Sequence, residues 1–242
     1  MTLSKTRGYL VHLYTMSTLA FVVLGIQWIL EGRYEAALVA MAITLGIDAT
    51  DGALARKFHI AHTAPGIDGT LLDNVVDFTS YVFLPLLFLM HAGMLAQPVT
   101  LFAAAVAFSS AFGFSRTSAK QVDEAFFVGF PSYWNVVAFY AYLLDLSAVV
   151  TTALVLILSL LVFVDVRFLY VSRMRRHRTL HFVLGAAWGV ACLTALFLEP
   201  GALRTALIMG SLGYVAFYTV HSLVADVAAR RRSPARSQPR GA

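Results

Sequence analysis

The sequence predicts an all-α fold: a polytopic membrane helical bundle of about eight transmembrane helices with both termini on the cytoplasmic side. Three observations predict it. Of 242 residues, 59% are hydrophobic and only 13% charged, where a soluble domain carries about 25% charged residues; the mean hydropathy is +0.75. Apolar runs of roughly 20 residues, long enough to span a bilayer as helices, recur along the whole chain and leave no room for a separate soluble domain. Basic residues segregate: with the N-terminus inside, fifteen of the eighteen Lys and Arg fall on the cytoplasmic side, Arg33 and Arg204 fall outside, and Arg167 lies near the inner end of the sixth span. That asymmetry is the positive-inside bias.

The predicted spans cover residues 11–30, 36–54, 71–91, 99–118, 132–146, 149–171, 180–198 and 205–225. The first follows a short basic lead and so resembles a signal peptide. It is too long, lacks a small-residue cleavage site and is followed by further spans, so it is read as a helix. The second ends in "IDATDGALAR", Ile47 to Arg56, and the loop "KFHIAHTAPGID", 57–68, leads into the third. External loops at 93–98 and 145–147 are short and nearly uncharged. The fifth span is the shortest. Cys192, in the seventh, is the only cysteine, which excludes a disulfide framework within the chain. Residues 1–229 form one membrane domain, and the tail 230–242, "RRRSPARSQPRGA", is basic and read as disordered. The net charge of +5 is a topology signal and a match for anionic headgroups, so no nucleic-acid partner is expected.

Five of the thirteen acidic residues, Asp48, Asp51, Asp68, Asp73 and Asp77, fall within thirty positions. Asp48 and Asp51 are i and i+3 on one helix face, and Asp73 and Asp77 are i and i+4 on the next. Antiparallel spans joined by a short loop can bring the two pairs together near the membrane boundary. Four unneutralised carboxylates there would repel one another and carry a burial cost. Divalent cations remove that charge, and oxygen-only ligands suit magnesium, manganese or calcium. Four carboxylates can hold two ions about 4 Å apart, an arrangement that stabilises phosphoryl displacement. Gly52, Ala55 and Gly69 clear the helix surfaces beside the acids, and Arg56 offers a planar fork for phosphate. The set reads as a metal–nucleotide or metal–diphosphate site.

The pattern Asp48-x2-Asp51-Gly52-x2-Ala55-Arg56 … Gly69-x3-Asp73-x3-Asp77 resembles the signature of the CDP-alcohol phosphotransferases, with all eight signature residues present. Twelve residues separate Arg56 from Gly69, a longer gap than in most of the family and similar to its bacterial phosphatidylcholine synthase branch. The resemblance implies that Asp48, Asp51, Asp73 and Asp77 ligate two Mn2+ or Mg2+ ions. It implies that Gly52, Ala55, Arg56, Gly69 and Asp73 contact CDP-diacylglycerol, and that Asp77 is the catalytic base for the acceptor hydroxyl. It further implies a homodimer in the bacterial inner membrane, with the active site facing the cytoplasm.

The branch resemblance points to choline as acceptor, with serine, inositol or glycerol 3-phosphate as alternatives. A quaternary ammonium is held by aromatic faces and a counter-charge. Tyr133, Trp134 and Asn135 in "GFPSYWNVVAFYAY", with Phe78 and Tyr81 one turn past Asp77, are the choline-site candidates; an aromatic belt or core packing is the competing role for each. Arg116, Lys120, Arg167 and Arg173 suit a phosphate-bearing acceptor, but Asp123, Glu124 and Asp165 nearby in sequence are expected to pair with them, and Asp165 with Arg167. The seven histidines are scattered, and none forms a metal motif with the aspartates. A cation transporter would need acids at mid-membrane along several spans, and a membrane scaffold leaves four converging carboxylates unexplained.

Overall fold

The computed structural model describes residues 3–116, 120–121, 125–174 and 177–232. It is helical almost throughout. The helices are α1 (Leu3–Leu30), α2 (Tyr34–Lys57), the short α3 (Ile60–Thr63), α4 (Gly69–Phe78), α5 (Leu84–His91), α6 (Val99–Ser115), α7 (Trp134–Leu143), α8 (Ala148–Leu161), α9 (Arg178–Phe197) and α10 (Ala202–Arg232). Five segments are long and apolar enough to cross a bilayer: α1, α2, the continuous run Gly69–His91, α9 and α10. Side chains such as Phe108, 75% exposed, and Leu160, 68% exposed, are apolar groups at the protein's outer surface, as a lipid-facing surface requires. The chain is a multi-pass membrane protein.

α1 and α2 form an antiparallel hairpin, and its turn shows why the chain reverses at Gly32. The Arg33 N–H donates to the Trp28 carbonyl at 2.8 Å and the Gly32 N–H to the Ile29 carbonyl at 3.0 Å. That pair of bonds is the Schellman closure of a helix, which needs a left-handed residue after the last turn. Gly32, at φ +71°, supplies it without a Cβ clash.

Between α4 and α5 the helix widens into a π turn over Thr79–Phe83, with the Leu84 N–H donating to the Thr79 carbonyl five residues back. Pro85 stands at the start of α5 and accounts for the widening. A proline has no N–H to give to residue 81, and its ring collides with that carbonyl in a regular α-helix.

Two predicted spans differ from expectation. The fifth is a helix of only ten residues, α7, about 15 Å long and so half the hydrocarbon thickness. Eight of its ten residues are buried, so it is a core element enclosed by its neighbours. The sixth stops at Leu161, and its remainder becomes a strand. Strands β1 (Lys120–Gln121), β2 (Phe126–Val128) and β3 (Arg167–Leu169) make a small antiparallel sheet in the order β1-β2-β3. Phe127 lies opposite Phe168. α10 caps the sheet: Ser222 Oγ accepts from the Leu169 N–H at 3.1 Å, and the Tyr218 hydroxyl donates to the Leu169 carbonyl at 2.9 Å. The backbone N–H and C=O of Leu169 are thereby satisfied.

Three basic residues near the sheet, Arg116, Arg167 and Arg230, are paired. Arg116 holds Asp165 at 2.5 Å. Arg167 and Arg230 both hold the buried Asp226, at 3.6 Å and 2.9 Å. Arg167 thus finds an acid on α10 and also attracts Asp165, its expected partner. Asp123 and Glu124 lie outside the described residues, as does 233–242 of the predicted tail, whose first residues continue α10.

Candidate active site

Three elements build the site: the last turns of α2, the length of α4, and the face of α1 that packs on both. α2 carries Asp48 and Asp51, and α4 carries Asp73 and Asp77. Carboxylate oxygens of Asp48, Asp73 and Asp77 all lie within 4.8 Å of one another. The three acids come from two helices, as the i,i+3 and i,i+4 spacings require, and each is only partly buried. Hard carboxylate oxygens converging this closely suit an oxygen-seeking divalent cation.

Asp51 sits behind this trio and is 6% exposed. The Thr15 hydroxyl on α1 donates to its Oδ2 at 2.9 Å. One residue earlier in each helix, the Tyr14 hydroxyl meets Thr50 Oγ1 at 2.8 Å. These contacts fix α1 against the signature turn of α2. Nothing in the sequence singles out Thr15, which stands among other polar residues of the span, His12, Ser17 and Thr18.

Asp68, the fifth acid of the run, does separate work. It is the N-cap of α4, accepting from the Thr70 and Leu71 N–H groups at 3.0 Å each, the bond pattern that starts a helix. Starting α4 at Gly69 sets the phase in which Asp73 and Asp77 face α2.

The signature glycines make room for neighbouring side chains. A Cβ on Gly52 would stand 3.3 Å from Arg56 Nη1, so glycine lets the guanidinium fold back along α2. A Cβ on Gly69 would stand 3.3 Å from His12 Cε1 and 3.5 Å from Ile60 Cδ1. Ala55 lies on the same turn, and Arg56 is exposed at the end of α2.

The aromatic candidates separate into groups. Tyr81, inside the π turn, donates to Asp48 Oδ2 at 2.7 Å, and its ring centroid is 6.1 Å from that of Tyr133. Tyr133 also contacts Tyr218 through its hydroxyl, which ties the pair to α10 and the sheet. Trp134 is fully buried, packed on Phe130, and gives its indole N–H to Ser110 Oγ at 2.7 Å. Asn135 is buried and bonds the Val136 N–H through Oδ1. Phe78 stacks edge-on against Phe83 and Phe114. Only Tyr81 and Tyr133 of the five thus stand together at the carboxylates.

Sequence comparison agrees with this geometry. The family model described as CDP-alcohol phosphatidyltransferase matches residues 9–166, a stretch holding all four aspartates, Thr15 and the Tyr81–Tyr133 pair. The chain is 39% identical over 221 residues to a phosphatidylcholine synthase of Legionella pneumophila, covering 87% of this chain and 85% of that protein. It is 33% identical over 202 residues to a phosphatidylcholine synthase of Pseudomonas aeruginosa, covering 83% and 84%. A phosphatidylcholine synthase of Rhizobium meliloti is 31% identical over 221 residues, covering 88% and 91%. With the matched stretch spanning most of the chain and three of its four signature aspartates folded into one cluster, the protein belongs to the CDP-alcohol phosphatidyltransferase family.

Proposed function

We propose that the protein transfers the phosphatidyl group of CDP-diacylglycerol to choline, giving phosphatidylcholine and CMP. The observation that carries this reading is the convergence of Asp48, Asp73 and Asp77 in a chain similar to phosphatidylcholine synthases along most of its length. Serine, inositol and glycerol 3-phosphate are the competing acceptors for the same chemistry.

In this reading Asp48, Asp51, Asp73 and Asp77 hold two Mn2+ or Mg2+ ions. When bound, such ions neutralise the diphosphate and the departing CMP. Gly52, Ala55, Arg56, Gly69 and Asp73 seat the cytidine diphosphate. The Asp77 carboxylate takes the proton of the choline hydroxyl as its oxygen forms a bond to the phosphorus that carries diacylglycerol. The phosphorus–oxygen bond to CMP breaks, and CMP leaves with that electron pair. Tyr81, by donating to Asp48, keeps that carboxylate turned toward its two partners.

The Tyr81 and Tyr133 rings beside Asp48 offer the aromatic faces and negative charge that a quaternary ammonium needs. Trp134 and Asn135 back Tyr133 from the core, and Phe78 fixes the helix next to Tyr81. The basic asymmetry of the loops and the bacterial relatives support a bacterial inner-membrane protein with its site on the cytoplasmic face, and the family resemblance supports a homodimer. The test is CMP release by purified protein given manganese, CDP-diacylglycerol and one alcohol at a time. Release with choline is expected; release with serine and none with choline would overturn the acceptor.

A further inference from the structure

His12 lies on α1, one turn before Thr15 and on the same helix face, and is 2% exposed. Its Nε2 is buried with no hydrogen-bond partner among the described residues. A buried polar atom left unpaired costs stability and is seldom kept without a use. The position of this one is informative. Its neighbour Cε1 is 3.3 Å from where a Cβ on Gly69 would be, so the imidazole edge rests against the signature glycine at the start of α4. Four residues earlier, Gly8 packs on Thr63 and Ala64 of the loop between α2 and α4. One turn later, Thr15 holds Asp51. The face Gly8–His12–Thr15 of α1 therefore runs along the signature from its loop to its carboxylates, and His12 is the member with an unused bond.

Accepting the phosphotransfer reading, we propose that His12 Nε2 hydrogen-bonds the cytidine half of CDP-diacylglycerol, making α1 a third wall of the nucleotide seat. A neutral imidazole nitrogen can donate or accept according to tautomer, and cytidine offers hydroxyl, carbonyl and amine groups. Gly69 contributes by lacking a Cβ, which would press on the His12 ring at 3.3 Å.

His12→Phe keeps a flat ring and removes the nitrogen. CMP binding to detergent-solubilised protein, followed by calorimetry, should weaken about tenfold, the effect of one lost hydrogen bond. The KM for CDP-diacylglycerol should rise by a similar factor while the KM for choline stays. Free of ligand, His12→Phe should melt at or above the wild-type temperature, because no protein bond is lost and a buried orphan is removed. His12→Gln, which restores a polar end, should recover part of the CMP affinity. Wild-type CMP affinity in His12→Phe overturns the proposal, as does a lower melting temperature, which would reveal a structural partner for the nitrogen. A wild-type protein that binds no CMP overturns the phosphotransfer reading itself, a result distinct from either.

Discussion

Tyr81 reaches from the π turn to Asp48 on α2, its hydroxyl 2.7 Å from Oδ2. The bond joins the two halves of the acidic signature through a residue outside it. Removing it with Tyr81→Phe keeps the ring against Tyr133 and frees one rotation of the Asp48 carboxylate. Loss of a hydrogen bond to a metal-binding carboxylate typically weakens metal affinity about 10- to 100-fold. The manganese concentration for half-maximal CMP release should rise by that factor, and chelation should abolish release in both proteins.

Asp77→Asn removes the proposed base while conserving shape. Turnover should fall by a factor on the order of 10²–10⁴, the usual contribution of a positioned general base, with CMP affinity close to wild type. Measured side by side, CMP release and CMP binding separate these effects. Retained turnover would remove Asp77 from that role.

Thr15→Val tests the grip of α1 on the site. The swap conserves shape but removes the side-chain donor of the buried Asp51, leaving it the backbone bond from Gly52. The expected cost is about 1–3 kcal/mol, that of an unsatisfied buried acceptor, read from thermal unfolding in detergent. Manganese should restore part of the loss if Asp51 is a ligand, because a ligand that binds only the folded state stabilises it.

Asp165 gives a pH prediction outside the membrane spans. Hydrogen bonding and attraction from Arg116 hold its carboxyl below the usual range. A depressed folded-state pKa contributes stability that is present above the unfolded value, about 3.9, and is lost as pH falls through the folded value. Asp165→Asn should therefore melt slightly below wild type at neutral pH, and the two curves should converge below about pH 4. Because the carboxylate is 69% exposed, added salt should shrink the difference at neutral pH as well.

Much of this site was legible because helical spacing is rigid. Asp48 could meet Asp73 and Asp77 only if both segments were helices meeting at one end, and both are; Asp51, expected beside it, bonds Thr15 of α1 instead of joining the trio. Tyr81 was legible as a candidate, but its bond to Asp48 was not, because the π turn breaks the period from which such a contact would be read. Pro85 was the available signal for that break. α7 was read as a span because a helix buried on every side is as apolar as one facing lipid; length alone told them apart. β3 was hidden for a related reason. Arg167–Leu169 follows the apolar end of α8 directly, and hydropathy draws no line between a membrane helix and a strand covered by Tyr218 and Ser222. The contribution of α1 was invisible because Thr15 becomes a site residue only through a partner 36 positions away.

The widened turn at Thr79–Phe83 also sets a constraint on length. One residue more than an α turn rotates everything after Phe83 by about 100° relative to Asp73 and Asp77. The acidic half and the apolar half of the segment Gly69–His91 thus answer to different neighbours, α2 for one and the core around Phe88 and Leu89 for the other. Deleting any single residue from the turn would bring both halves into one phase and swing Phe88 or Asp77 out of place, although no functional group had been removed. For this stretch, residue count matters as much as residue identity.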